Sequence, residues 1–170
     1  MRKIINKSQK GFTLLELITI LIIIGILAAI AISRATNFDV EAITGADTLK
    51  MHIRYAQTMA MNSNPNAGDE TIWGISCSGS SYWLFRGTVP GDDIIRLPED
   101  DKYINADRTI NLDEKKISVT GFTVYFDNRG IPYSAYPGTQ WPDSSTISVT
   151  PIGGGTTVTI TITPFTGYIP

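Results

Sequence analysis

Cysteine and histidine each occur once in the 170 residues, and no lysine or arginine follows Arg129. Each scarcity removes a class of chemistry. A single Cys77 permits no intrachain disulfide, and its setting in Trp73-Gly74-Ile75-Ser76-Cys77 reads as that of a small buried strand or loop-edge residue rather than a reactive thiol. A single His52 cannot complete a Ser-His-Asp triad or a histidine-rich metal centre; beside Lys50 and Arg54 it reads as a solvated or hydrogen-bonding helix residue. The acidic runs Asp92-Asp93 and Glu99-Asp100-Asp101 lack the Asp-x-Asp-x-Asp-Gly spacing of a calcium loop and read as solvated, and Lys115-Lys116 reads as an exposed turn. Gly153-Gly154-Gly155 precedes neither a lysine nor a helix, which excludes a phosphate loop. A C-terminal stretch without cations has nothing to place on phosphates, so nucleic acid is not an expected partner. No catalytic residue, metal site or cofactor is expected, and the chain does not read as an enzyme.

Charge is also nearly missing from Phe12 to Ser33, where Glu16 stands alone and Leu17 to Ile32 form a dense aliphatic run. As a helix this segment reaches about 33 Å, enough to cross a hydrocarbon core of about 30 Å once. Arg2, Lys3, Lys7 and Lys10 crowd the short N-terminal side, which keeps that end cytoplasmic and sends the remainder outward. Four of the fourteen Lys and Arg residues therefore precede Phe12, leaving ten against sixteen Asp and Glu, a net of −6 for residues 12–170. That balance again disfavours a nucleic-acid surface.

Ala28-Ala29-Ile30-Ala31 imitates the small-residue cleavage site of a secretory signal peptide. The residues ahead of the run point elsewhere, because Gly11-Phe12-Thr13-Leu14-Leu15-Glu16 closely resembles the processing site of type IV prepilins and pseudopilins. The resemblance implies that a prepilin peptidase cuts between Gly11 and Phe12 and that the new amino terminus of Phe12 is N-methylated, with the apolar helix retained. Glu16 supports two compatible readings. Thr13-Leu14-Leu15-Glu16 fits a capping box, in which the carboxylate serves the first turn of its own helix. An acidic side chain deep in a bilayer also costs about 2.5–3.5 kcal/mol, which calls for a partner. The resemblance supplies one in the Phe12 amine of a neighbouring subunit. Such a pair about 4 Å apart at an effective dielectric of about 20 attracts by about 4 kcal/mol, less what the amine loses in desolvation.

The helix does not stop at the membrane. After a polar shoulder at Arg34 to Glu41, Ala42, Ala46, Leu49, Ile53, Ala56 and Ala60 recur at spacings of four and three, a packing stripe opposed by Asp47, Lys50, Arg54 and Gln57. Asn62-Ser63-Asn64-Pro65-Asn66 ends it, giving a helix of about 75 Å from Phe12 to Asn62. Gly25 loosens the aliphatic run; Ser33 stands where many pilins carry proline, so a straighter and less easily melted helix is expected, with Asn37-Phe38-Asp39 the next place for a bend. From Thr71 the pattern changes to strands near Thr71 to Ser76, Tyr82 to Arg86, Ile94 to Leu97, Ile117 to Phe126, Ile131 to Ser134, Thr146 to Thr150 and Thr157 to Thr163. The three consecutive glycines turn the last two into a hairpin. The aromatics Trp73, Tyr82, Trp83, Phe85, Tyr125, Tyr133, Tyr136 and Trp141 read as core and subunit contact.

An α+β fold follows, a long N-terminal helix whose outer half packs on an antiparallel sheet, as in the type IV pilin family. Its expected divisions are a cleaved basic leader (1–11), a transmembrane and assembly helix (12–33), its amphipathic continuation (34–64) and a β-rich globular domain (65–170). Three stretches resemble the GspH/FimT class of minor pilins: Leu49 to Ala60, Phe126-Asp127-Asn128-Arg129-Gly130-Ile131-Pro132, and the closing strand with Thr166-Gly167-Tyr168. The resemblance implies a structural subunit of a type IV pilus (fimbrium) or type II secretion pseudopilus. Its implied partners are other pilin or pseudopilin subunits, prepilin peptidase and the inner-membrane assembly machinery. Before assembly it would sit in the bacterial inner membrane with its C-terminal domain periplasmic. A major pilin of the shaft and a DNA-uptake or adhesive minor pilin are the alternatives.

Overall fold

The computed structural model describes residues 12–66 and 68–170, and for 33–39 the backbone alone. Helix α1 (Leu14–Met61) has 48 residues. Thr13 starts it: its hydroxyl accepts a hydrogen bond from the Glu16 N–H at 3.2 Å, satisfying one of the amides that lack an intrahelical partner. At the other end the amides of Asn62 and Ser63 bond back to the carbonyls of Thr58 and Ala60. Their side chains cover the carbonyls of Thr58 and Met59, and Pro65 follows. Contacts within the chain fall into two units, one ending at Thr36 and one from Asn37 to Pro170.

In the first unit, Leu14–Ile32 is a 19-residue stretch long and apolar enough to cross a membrane, and none of it is buried within the protein. The helical backbone continues through Ser33 without a break. The side chains of Ser33 and of Asn37-Phe38-Asp39, where a bend is the sequence expectation, lie outside the described residues, as do Gly11 and the leader.

In the second unit, Ala42, Ala46, Leu49, Ile53, Ala56 and Ala60 are each at most 1% exposed. They face two antiparallel sheets. The larger is built from β1 (Trp73–Ser78), β2 (Ser81–Arg86), β3 (Ile94–Ile95), β4 (Ile110–Asn111), β6 (Phe122–Phe126), β7 (Pro132–Ala135) and β8 (Thr139–Gln140), in the order β3-β2-β1-β6-β7-β8 with β4 also on β2. The smaller contains β5 (Ile117–Val119), β9 (Thr146–Pro151) and β10 (Val158–Thr161), in the order β10-β9-β5. The helix-then-strands order of the sequence thus gives the α+β fold it implies.

The stretch from Ile117 to Phe126, expected as one strand, is two strands in different sheets. Ile117 and Val119 are buried at odd positions, Val124 and Phe126 at even ones. Side chains alternate strictly along a strand, so the chain must change its inward face between them, and it does so at Thr120-Gly121. The two-residue strands β4 and β8 have too little pattern to be read from sequence. The glycine hairpin is present, with Val149 opposite Val158 and Ile147 opposite Ile160.

Leu49, Ile53, Leu84, Phe126, Ile147 and Ile160 lie in one buried cluster, so helix and both sheets share a core. The far face of the larger sheet carries a second, smaller cluster of Ile72, Phe85 and Tyr125, flanked by the partly buried Trp83, Tyr133 and Tyr136. Phe85 meets Tyr125 edge to face at 5.2 Å, a favourable arrangement for two rings.

Candidate functional site

Two parts of the chain concentrate features that the isolated fold does not itself require, and the first is the start of α1. Leu15, Leu21 and Leu27 are 76%, 60% and 60% exposed, and Phe12 is 80% exposed. Within this surface Thr19 returns its hydroxyl to the Leu15 carbonyl at 2.8 Å, which removes a polar group from the aliphatic wall. Glu16 behaves differently from a full capping box. The Thr13 hydroxyl receives the Glu16 amide, but the carboxylate does not reach back to Thr13, and among the described residues it accepts no hydrogen bond and enters no ion pair. The helix-capping account of Glu16 is therefore carried by Thr13, while the acidic group itself is exposed among aliphatic neighbours. Gly25 has open space where a side chain would stand, with nothing among the described residues packed on it.

The second part lies at the outer end of α1. Gln57, expected on the solvent side, donates through Nε2 to the Gly130 carbonyl at 2.9 Å and to the Thr166 carbonyl at 3.0 Å. Arg54 donates to the Ile169 carbonyl at 2.7 Å. Gly130 and Gly167 hold positive φ of 78° and 64°, and a Cβ on Gly167 would run into the Gln57 amide and the Gly130 carbonyl. The β6–β7 turn is braced by Asp127, whose carboxylate accepts from the amides of Arg129 and Ile131, both at 2.9 Å, and from the Tyr133 hydroxyl at 3.2 Å. One amide of α1 thus gathers a strand turn and the C-terminal segment into a clasp.

Beneath the helix, His52 is fully buried rather than solvated, with Nδ1 2.9 Å from the Tyr82 hydroxyl. Burial holds its pKa below the ordinary 6.5, against the Glu99 carboxylate and the Pro98 carbonyl, which favour the charged ring; Lys115 acts with burial. Glu99 and Lys115 correct the reading of solvated loops. They form a 2.6 Å ion pair with side chains 13% and 10% exposed, and the Lys115 ammonium sits 4.1 Å from the centre of the Tyr103 ring. Burial works against the Glu99 carboxylate, but Lys115 and the Asp100 N–H outweigh it and hold the group below its usual range. Lys116 reaches Glu41 on α1 at 3.3 Å. Asp93 pairs with Arg86 at 2.8 Å, Asp101 with Arg96, and Asp100 caps a short 3-10 turn. Among the described residues, no three His, Cys, Asp or Glu side chains are placed to hold a metal ion. Cys77 is buried, which pushes its thiol up to about 11.

Residues 6–32 match the prokaryotic N-terminal methylation motif. Over 119 residues the sequence is 32% identical to a fimbrial protein of Moraxella nonliquefaciens, an alignment covering 52% of this chain and 73% of that protein. The chain belongs to the type IV pilin family. No solved structure matches it. In this pilin the motif ends at Ile32, where the membrane-compatible stretch of α1 also ends. Sequence reasoning placed Gln57 on the solvent face, because the carbonyls that receive it lie 73 and 109 residues away along the chain; of the two roles read for His52, the hydrogen-bonding one is met by Tyr82, 30 residues away. The signal for Gln57 was the pair of glycines in the Phe126 to Pro132 and Thr166 to Tyr168 stretches.

Proposed function

We propose that this pilin is a structural, non-enzymatic subunit that enters a type IV pilus or a type II secretion pseudopilus through α1. The observation that carries the reading is a 19-residue aliphatic stretch of helix with none of its residues buried among the described residues, and with the carboxylate of Glu16 unpaired among them near its start. In a bilayer, lipid covers that surface; in a filament, the equivalent helices of neighbours replace lipid, and shape and dispersion rather than hydrophobic transfer hold them. Prepilin peptidase cuts between Gly11 and Phe12 and the Phe12 amine is methylated. That amine then meets Glu16 of the next subunit, so the ion pair sets register among otherwise interchangeable aliphatic contacts. Before assembly the subunit is held in the inner membrane with Asn37–Pro170 on the periplasmic side, where the assembly machinery collects it.

Its place is that of a minor subunit of GspH/FimT type. Support comes from the clasp: the three stretches that resemble that class meet in space at Gln57, Gly130 and Gly167. The similarity to a fimbrial protein favours a second reading, a major pilin of the shaft. Quantifying the subunit in sheared filaments separates the two, since a dominant band rules out the minor role. Mass spectrometry of the mature N-terminus tests the central claim. N-methylated Phe12 is expected, and an intact Met1 or a cut near Ala31 refutes it.

A further inference from the structure

We infer that the outer edge of β10 is a self-pairing interface, on which a second copy of this chain lays its own β10 antiparallel to form one six-stranded sheet from two three-stranded ones. Strand β10 ends the smaller sheet and is paired only with β9. Among the described residues, no other backbone group bonds to Val158–Thr161. A row of free amide and carbonyl groups on an extended strand is a template for another strand, and soluble proteins normally blunt it with charge, proline, a bulge or very short length.

The other edges of this protein show those devices. Strands β3, β4 and β8 have two residues each, β3 lies between Asp93 and Arg96, and Lys115 and Lys116 precede the three-residue β5. Strand β10 shows none of them. From Thr156 to Thr163 the sequence is Thr-Thr-Val-Thr-Ile-Thr-Ile-Thr, without charge, proline or glycine, and six of its neighbours in the turn and tail are glycine or proline rather than charged residues. Ile160 and Ile162 point into the core while Thr159 and Thr161 are exposed.

A second copy is the occupant that the charge distribution favours. Residues 12–170 sum to −6, so two copies repel over most of their surface, but no side chain from Ser144 to Pro170 is ionisable to a charged form at neutral pH. Two such edges approach without like-charge contact. An antiparallel strand pair related by a two-fold axis is also self-complementary, because each donor on one edge faces an acceptor on the other. The contact lies in the second unit and does not depend on the aliphatic helix or on processing at Gly11.

The full-length chain in its membrane tests this. Thr159→Cys and Thr161→Cys are introduced together, since an antiparallel pair centred on Thr159, Ile160 or Thr161 then brings two new thiols opposite each other. The buried native Cys77 contributes little background. A short thiol cross-linker is expected to give a homodimer, and Glu114→Cys, equally exposed, is expected to give none. Adding Thr157→Lys to the double-cysteine chain puts a charge on the apolar edge of each copy and lowers the dimer yield several-fold. No cross-link, equal cross-linking at Glu114→Cys, or a product whose mass shows a different protein as the partner overturns the inference. Because the readout is position-specific, dimers held only by the N-terminal helices do not imitate it. A normal N-methylated Phe12 in the same sample separates failure here from failure of the pilin processing reading.

Discussion

Replacing Gln57 by alanine removes one amide that serves two carbonyls, Gly130 at 2.9 Å and Thr166 at 3.0 Å. A net hydrogen bond is worth about 0.5–1.5 kcal/mol, and the Gly130 bond is partly buried while the Thr166 bond is exposed, so the expected cost is about 2 kcal/mol. Gly167→Ala attacks the same point from the other side. Its φ of 64° costs a non-glycine residue about 1–2 kcal/mol, and the added methyl is driven into the Gln57 amide and the Gly130 carbonyl. In a Gln57→Ala background the clash with the amide disappears and that with the carbonyl stays. The double variant is therefore less destabilised than the sum of the two, by a coupling of about 0.5–3 kcal/mol. Urea unfolding of the full chain in detergent, followed by tryptophan fluorescence, reads this directly, because Trp73, Trp83 and Trp141 all lie beyond α1. Thr58→Ala, one residue along, is the control; its hydroxyl only returns to the Arg54 carbonyl, and a change within about 0.5 kcal/mol is expected. A neutral Gln57→Ala, or single costs that add within about 0.5 kcal/mol, refutes the clasp.

Glu16→Ala is expected to leave cleavage at Gly11 largely intact while filament entry falls, measured as the subunit's share of sheared filaments; normal entry reduces the residue to its place in the first turn. Because burial depresses the His52 pKa, the unfolded chain binds that proton more readily than the folded one. The stability this confers is fully present above about pH 6.5 and is lost as pH falls towards the folded pKa, so urea midpoints decline on acidification, and His52→Gln flattens that segment of the profile. Tyr82→Phe strips the imidazole of its buried partner and costs about 1–3 kcal/mol in the same assay. Cys77, with its thiol pushed up to about 11, is expected to resist alkylation at neutral pH until denaturant is added; labelling at the rate of a free peptide thiol contradicts its burial.

What was legible in the sequence follows the periodicity of each element. The buried face of α1 could be read because Ala42 to Ala60 repeat at helical spacing on a helix packed on one side only. The β9–β10 hairpin was legible from Gly153 to Gly155, a local signal. The split between β5 and β6 was present as a parity change across Thr120-Gly121, where the glycine interrupts an otherwise strand-favouring run of ten residues. Gln57 and Lys115 were misread, and the burial of His52 left open, for a different reason. Each is a polar residue held by partners supplied from another part of the chain, and spacing within a single element carries no record of such partners. At the candidate assembly site the motif from Gly11 to Glu16 named the residues, while the half-formed capping box needed coordinates.

The clasp also imposes an order of events on biogenesis. Arg54 and Gln57 are separated from Ile169 and Thr166 by 115 and 109 residues. In chain order those two helix side chains are made early and their acceptors after all the strands of the described residues. Closing so long a loop is slow compared with local pairing, and its contacts reward the chain only once it is closed. Until the turn at Pro164 to Gly167 has been made, the apolar helix and the strands are present but the Gln57 amide lacks its Thr166 acceptor and the Arg54 guanidinium its Ile169 carbonyl. A defect in residues 164–170 is thus felt on α1 itself, at Arg54 and Gln57.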